Sequence, residues 1–230
     1  LAAESPVLES SIYDGEVYDG RKEIPGWATP ECEEKGFVPA EVTEGFSDRL
    51  TPRYSLPLKV MKDVKPVSLI TTKAGETVID FGQIMSGWVE FYCREKEGGE
   101  IFFQFGEILQ DGNFYNENLR SAKEEYRYIS NGKERWVRPH FTFYGFRYMK
   151  VTGITELRLE DFIGRVIYSE MERTGKITTS NWKINQLFQN AFWGQIGNFL
   201  DVPTDCPQRD ERMGWTGDAQ IFSATANLNT

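Results

Sequence analysis

Asp205-Cys206-Pro207-Gln208-Arg209-Asp210-Glu211-Arg212-Met213-Gly214-Trp215-Thr216-Gly217-Asp218 is the stretch of this chain whose residue types can do chemistry. Its fourteen residues hold four carboxylates, two arginines, a tryptophan and two glycines. Such a loop adds nothing to a core, because neighbouring carboxylates repel and each resists burial unless paired. Close carboxylates beside an aromatic ring do suit general-acid chemistry on a sugar. One carboxyl must keep its proton near neutral pH to hand it to a departing glycosidic oxygen, and negative neighbours or an apolar wall help it do so. The alternative from residue types alone is a solvated connection between two helices, and that alternative stays open at this point.

Composition removes several other functions. A net charge of −9 disfavours proteins that bind nucleic-acid backbones or anionic membranes, both of which need a positive field. His140 is the sole histidine, so neither a histidine-rich metal site nor a Ser-His-Asp triad has material to draw on. Cys32, Cys93 and Cys206 are odd in number and far apart, without a CxxC pair, and read as free or buried thiols. No metal and no cofactor are expected. No apolar run approaches the roughly 18 residues of a membrane span. The chain begins at Leu1 without a charged leader or cleavage signal, so a targeting segment is expected to be gone or never present. The compartment is not readable.

The elements that must position the loop follow from periodicity. Residues 1–55 are weakly patterned: Asp14-Gly15 and Asp19-Gly20 turns flank Glu16-Val17-Tyr18, and Pro25-Gly26-Trp27 and Pro30 follow. They are expected to be the tail of a preceding β domain with a linker. Residues 56–170 are expected to form an antiparallel β-sandwich. Strands are predicted at 67–70, 77–81, 88–93, 101–105, 125–129, 135–143, 146–152 and 161–168, rich in β-branched and aromatic residues. Ala74-Gly75, Ser86-Gly87 and Gly98-Gly99 punctuate them as turns, and Asp111-Gly112 and Asn131-Gly132 as hairpins. Residues 116–123 are expected to interrupt as a short helix or ordered loop. Asp80-Phe81-Gly82-Gln83 with Gly87-Trp88 reads as a strand end with a core tryptophan rather than a sugar platform. The aromatic block Phe141–Tyr148 reads as core and domain interface, and His140 as structural.

From about residue 171 the period changes. Ser180 or Asn181 can cap a helix in which Ile184, Leu187, Phe188, Ala191, Phe192, Ile196 and Phe199 recur at spacings of three and four. Pro203 is expected to end it. After the acidic loop Thr216 is expected to cap a second helix carrying Ile221, Phe222, Ala224 and Leu228. Two helices with uncovered apolar faces are the start of a domain. The overall class is therefore mainly β with a C-terminal α portion.

The run Val202-Pro203-Thr204 into Asp205–Asp218 and Ala219-Gln220 resembles the signature of the α-L-rhamnosidases, family 78 of the glycoside hydrolases. Upstream pieces match more weakly: Tyr18–Glu23 with Pro25-Gly26-Trp27, Asp80–Gln83 with Gly87-Trp88, Asn118-Leu119-Arg120, and Gly145–Tyr148. Tyr144 departs from the histidine common before the Gly-Phe-Arg-Tyr run. The resemblance implies a β-sandwich against an (α/α)6 barrel whose mouth holds rhamnose, with residues 171–230 as the barrel's N-terminal part. It implies Glu211 as general acid, Asp205, Arg209 and Asp210 on the sugar hydroxyls, Asp218 lining the same pocket, and Trp215 over the apolar ring face and methyl. Residue chemistry agrees: a 6-deoxy sugar needs an apolar wall, and an arginine fork suits vicinal hydroxyls. The family is inverting, with its base a glutamate on a later barrel loop, so this chain is expected to lack the base and to be inactive alone. Two other readings remain: a non-catalytic carbohydrate-binding or scaffolding sandwich, and a glycosidase for another deoxy or acidic sugar. The partner expected is a rhamnose-containing glycoside or polysaccharide.

Overall fold

A computed structural model describes residues 1–33, 35–45 and 50–230. Among them, ten strands hydrogen-bond into one sheet. These are β1 (Val7–Ser11), β2 (Gly15–Asp19), β3 (Leu58–Val64), β4 (Ser68–Thr71), β5 (Thr77–Cys93), β6 (Glu100–Gly106), and, beyond a side hairpin of β7 (Ile108–Gln110) and β8 (Asn113–Tyr115), β9 (Glu125–Ile129), β10 (Arg135–Val137), β11 (Tyr144–Thr152) and β12 (Phe162–Ser169). The helical part is α1 (Trp182–Asn198), a two-rung hairpin of β13 (Phe199–Leu200) and β14 (Val202–Pro203), and α2 (Thr216–Asn229). Neither helix is long and apolar enough to cross a membrane.

The sheet curls because its central strand is too long to stay flat under right-handed twist. β5 runs 17 residues without a break, paired along one edge with β10 and then β11 and along the other with β12 and β4. The turn expected at Ser86-Gly87 is therefore absent. Gly87 instead answers a close approach: a Cβ there would lie 1.8 Å from the Arg165 carbonyl oxygen of β12. Alternation buries Val89, Phe91 and Cys93 on one face. Phe91 meets Phe103 edge-on at 5.0 Å and stacks on Phe162 at 6.4 Å, and Tyr126, Phe105 and Phe146 complete one contiguous core between the two layers of the curl.

Several local expectations change in this context. β3 lay outside the predicted strands, because it is an exposed edge strand with little buried alternation. The strand predicted over 135–143 stops at Val137, and beyond Pro139 the backbone N–H groups of His140 and Phe141 turn to the buried carboxylate of Glu16. Asp111-Gly112 does close the β7–β8 hairpin, with φ of 54° and 82°. Asn131-Gly132 closes no hairpin, since β9 pairs with β2 and β6 while β10 pairs with β5. The N-terminal residues are knit into the same sheet: β1 and β2 form a hairpin, and β2 runs parallel to β9.

α1 starts where expected, the Asn181 side chain accepting the Lys183 N–H at 3.0 Å. It rests on β5 through Phe192 and Ile196, and the buried Ser86 hydroxyl donates to the Gly197 carbonyl at 2.6 Å. The helix ends at Asn198, five residues before Pro203, because Thr204 returns and both its N–H and its hydroxyl bond the Asn198 carbonyl. Pro203 lies in β14 instead. Thr216 is the first residue of α2 rather than its cap; Trp215 holds the cap position without a side-chain bond.

Candidate functional site

The acidic loop spans the gap between β14 and α2, and it is pinned from inside and from the β part. Within it, the Asp205 N–H donates to the Met213 carbonyl at 3.0 Å, and Met213 N–H returns to Asp205 Oδ1 at 2.8 Å. Burial pushes the Asp205 carboxyl up, but the Met213 N–H and its other hydrogen bonds, Arg209 among them, outweigh it and hold the group below its usual range. Underneath, the sheet needs a glycine: a Cβ on Gly145 of β11 would fall 2.7 Å from Gln208 Cβ and 2.9 Å from Pro207.

The residues singled out from sequence sort into two groups. Asp205, Arg209, Glu211 and Trp215 form one cluster. Arg209 Nη2 lies 3.2 Å from Glu211 Oε2 and 3.5 Å from Asp205 Oδ2, and the Trp215 indole N–H donates to Glu211 Oε1 at 3.0 Å. The Trp215 ring is half exposed at the surface, not packed in a helix core. Asp210 is anchored separately, accepting from the Ser121 hydroxyl and, at 3.4 Å, from its N–H; the Ser121 hydroxyl holds the Asp210 carboxyl below its usual range. Asp218 stands in the first turn of α2 and is exposed. With Asp205, Thr204, Gln195, Asn198 and Phe222 it lines a cleft of about 820 Å³ between the two helices.

Sequence reasoning assigned no role to several residues that the structure brings here. Arg120 reaches from the segment before β9, Nη1 3.1 Å from Glu211 Oε2 and 3.8 Å from Asp210 Oδ1. The Tyr13 hydroxyl donates to the Glu211 carbonyl at 3.0 Å. Burial raises the Glu107 carboxyl, which accepts from Asn118 at 3.2 Å beside Gln208 and Arg209. Arg212, inside the motif, pairs with Glu124 at 2.7 Å with both side chains buried. Burial pushes the Glu124 carboxyl well up while the guanidinium pulls it back. Asn118-Leu119-Arg120 carried part of the resemblance, yet nothing local shows that Arg120 adopts a φ of 60° and aims at a carboxylate 91 positions away.

Asp205, Cys206 and Glu211 place potential ligand atoms within 4.8 Å of one another. The two carboxylates are already engaged by arginines, and burial raises the Cys206 thiol, which disfavours the thiolate a metal requires. The arrangement is an ion-paired loop at the rim of a cleft.

A curled sheet followed by two helices that such a loop joins defines a mainly β unit with a helical pair on its C-terminal side. Three family models match in succession: the alpha-L-rhamnosidase N-terminal domain over residues 1–62, the bacterial alpha-L-rhamnosidase concanavalin-like domain over 70–168, and the bacterial alpha-L-rhamnosidase 6 hairpin glycosidase domain over 172–230. An alpha-L-rhamnosidase of Formosa agariphila is 40% identical over 98% of this chain and 25% of its own length. The crystal structure of a native α-L-rhamnosidase from Aspergillus terreus superposes with a TM-score of 0.94 at 37% identity, over 98% of this chain and 26% of that one. That of the Streptomyces avermitilis enzyme complexed with L-rhamnose gives 0.94 at 34% identity, over 99% and 22%. The chain belongs to the α-L-rhamnosidases of glycoside hydrolase family 78. It spans about a quarter of the length of these relatives.

Proposed function

We propose that the whole protein to which these residues belong removes terminal α-L-rhamnose from a glycoside or polysaccharide, with water as acceptor. The observation that supports this most is the Glu211 side chain, partly exposed in the loop and bonded to the half-exposed Trp215 ring, beside the cleft that Asp205 and Asp218 line. Glu211 is the general acid: its proton passes to the glycosidic oxygen as the bond to the anomeric carbon breaks. Trp215 offers the ring face against which a 6-deoxy sugar rests. Arg209 and Asp218 reach the hydroxyls. Asp205 binds sugar where its carboxylate borders the cleft and orients Arg209, and Asp210 closes the site toward Ser121.

The reaction is inverting in this reading. A second carboxylate activates water on the opposite sugar face, at roughly 6.5–9.5 Å from the acid. All four loop carboxylates come from one short segment, so in this reading the base is supplied by another part of a protein as long as its relatives. The 230-residue chain by itself then turns over no rhamnoside.

Glu211→Gln in the full-length protein tests the assignment. Loss of the proton donor lowers hydrolysis of a sugar-linked rhamnoside by ~10²–10⁴-fold, and of an aryl rhamnoside with a good leaving group by less. A wild-type rate in the variant removes Glu211 from the mechanism. A panel of nitrophenyl glycosides checks the sugar, and preference for any sugar other than rhamnose overturns that part.

A further inference from the structure

We propose that Arg212 is the positioning residue for the catalytic acid, so that the β-sheet unit rather than the helices sets where the Glu211 carboxyl stands. This rests on the reading of Glu211 as the acid. The Arg212 side chain is 1% exposed, and all three of its nitrogens donate. Two of its acceptors lie in the loop just before Glu211: the carbonyls of Gln208 and Arg209, each at 3.1 Å. The other three belong to three separate parts of the β unit. They are the Ile12 carbonyl in the β1–β2 turn, Glu124 Oε1 ahead of β9 at 2.7 Å, and the Phe143 carbonyl ahead of β11 at 3.1 Å.

A planar guanidinium with fixed donor directions can satisfy five acceptors only if they converge in one geometry. Arg212 therefore locks the loop's register on the sheet. Its ring neighbours, Tyr13 at 5.7 Å and Phe143 at 5.0 Å, close the site. The same tyrosine fixes the backbone of Glu211 through its hydroxyl. Glu124 Oε1 takes the Gly145 N–H at 2.9 Å as well, and Gly145 is where Pro207 and Gln208 touch the sheet. Glu211 is thus held by Tyr13 at its own carbonyl and by Arg212 one residue on. With φ of 53°, Arg212 turns the chain inward while Glu211 stays at the rim.

A misplaced acid and a merely weakened fold leave different signatures. Misplacement by about 1 Å costs on the order of 10²-fold where proton transfer limits the reaction. It costs little where the leaving group departs unaided, and little in binding of free rhamnose. The experiment compares full-length Arg212→Met, Arg212→Lys and Glu124→Gln on a sugar-linked and a nitrophenyl rhamnoside, with rhamnose inhibition and melting temperature measured alongside. Arg212→Met is expected to lose about 10²-fold in kcat on the sugar-linked substrate and less than about tenfold on the nitrophenyl one, with the inhibition constant within about twofold. Arg212→Lys keeps the charge without the fork and shows the same selectivity. Glu124→Gln, nearly isosteric, shows it to a smaller degree and carries the test if Arg212→Met does not fold. Equal losses on both substrates, or losses that follow a lowered melting temperature, overturn the proposal in favour of simple structural support. Rhamnose inhibition weakened in step with kcat overturns it in favour of sugar binding. Glu211→Gln in the same assays separates the two readings: leaving-group-selective loss there, without it in the Arg212 and Glu124 variants, refutes this inference alone.

Discussion

The curled sheet and the segment after Ser180 are held together in opposite ways. In the sheet, Phe91, Phe103, Tyr126 and Tyr144 are completely buried among one another, and Phe105 stacks on Tyr144 at 4.0 Å. In α2, Ala226 is the buried residue, while Ile221 is 84% and Leu228 74% exposed. That helix is fastened chiefly by its end: the Asn229 carbonyl accepts from Thr174 and Gly175, and Asn229 Nδ2 donates to Gln195 at 2.8 Å. The acidic loop has almost no apolar burial beyond Cys206 and depends on directional contacts to the sheet. Area burial is additive and forgiving, whereas a few buried polar contacts are each indispensable. The sheet is the frame, and the loop borrows its geometry from it.

The sharpest way to break this contrast is to empty the core. Phe91→Ala is expected to destabilise the β unit by ~3–5 kcal/mol, as large aromatic deletions do in packed cores. Ile221→Ala in the same 230-residue chain should stay within about 0.5 kcal/mol, because its side chain is mostly in water already. Urea melts of both variants decide it, and equal effects would mean that the helices share the sheet's core.

A second variant probes the seam between the two regions. Gly145→Ala puts a methyl against the backbone of Pro207, which cannot step aside as a flexible side-chain end can. It is expected to cost ~1–3 kcal/mol of overpacking strain and to release the loop. Faster tryptic cutting at Arg209 and Arg212 with the sheet's melting little changed would show that the strain falls on the loop. A parallel loss of sheet stability would place it in β11.

The smallest effect concerns pH. The Arg147 fork, with both bonds at 2.8 Å, holds the Asp80 carboxyl below its ordinary value of 3.8. A depressed carboxylate contributes stability that is present above the unfolded value and is lost as pH falls through the folded one. Arg147 is partly exposed, so the contribution should not exceed about 1 kcal/mol. Melting temperatures of the parent and Asp80→Asn should differ at pH 6, and the gap should close as pH falls below the ordinary carboxyl value and through the folded one. A gap that persists in acid would show that the amide disturbs packing instead.

Much was legible locally because the signals span only a few residues. The alternation at Val89–Cys93, the Asp111-Gly112 turn, the Asn181 cap and the carboxylates of the acidic loop are each decided within one to four positions. The sequence alone therefore determined that the chain is mainly β with helices at its C-terminal side, and it gathers in residues 205–218 the side-chain types that could do chemistry. What it could not carry is pairing at a distance. Ser86-Gly87 reads as a turn until β12 lies against it, and Pro203 reads as a helix stop until Thr204 has already returned to Asn198. Arg212 reads as one more charge on a polar loop until Glu124, 88 positions earlier, meets it in the dark of the core. Only the tertiary structure decided that Glu211 is held by Tyr13 and flanked by Arg120. A buried guanidinium and a glycine under a loop acquire their roles from acceptors and backbones that distant strands bring close, and no local window contains both partners.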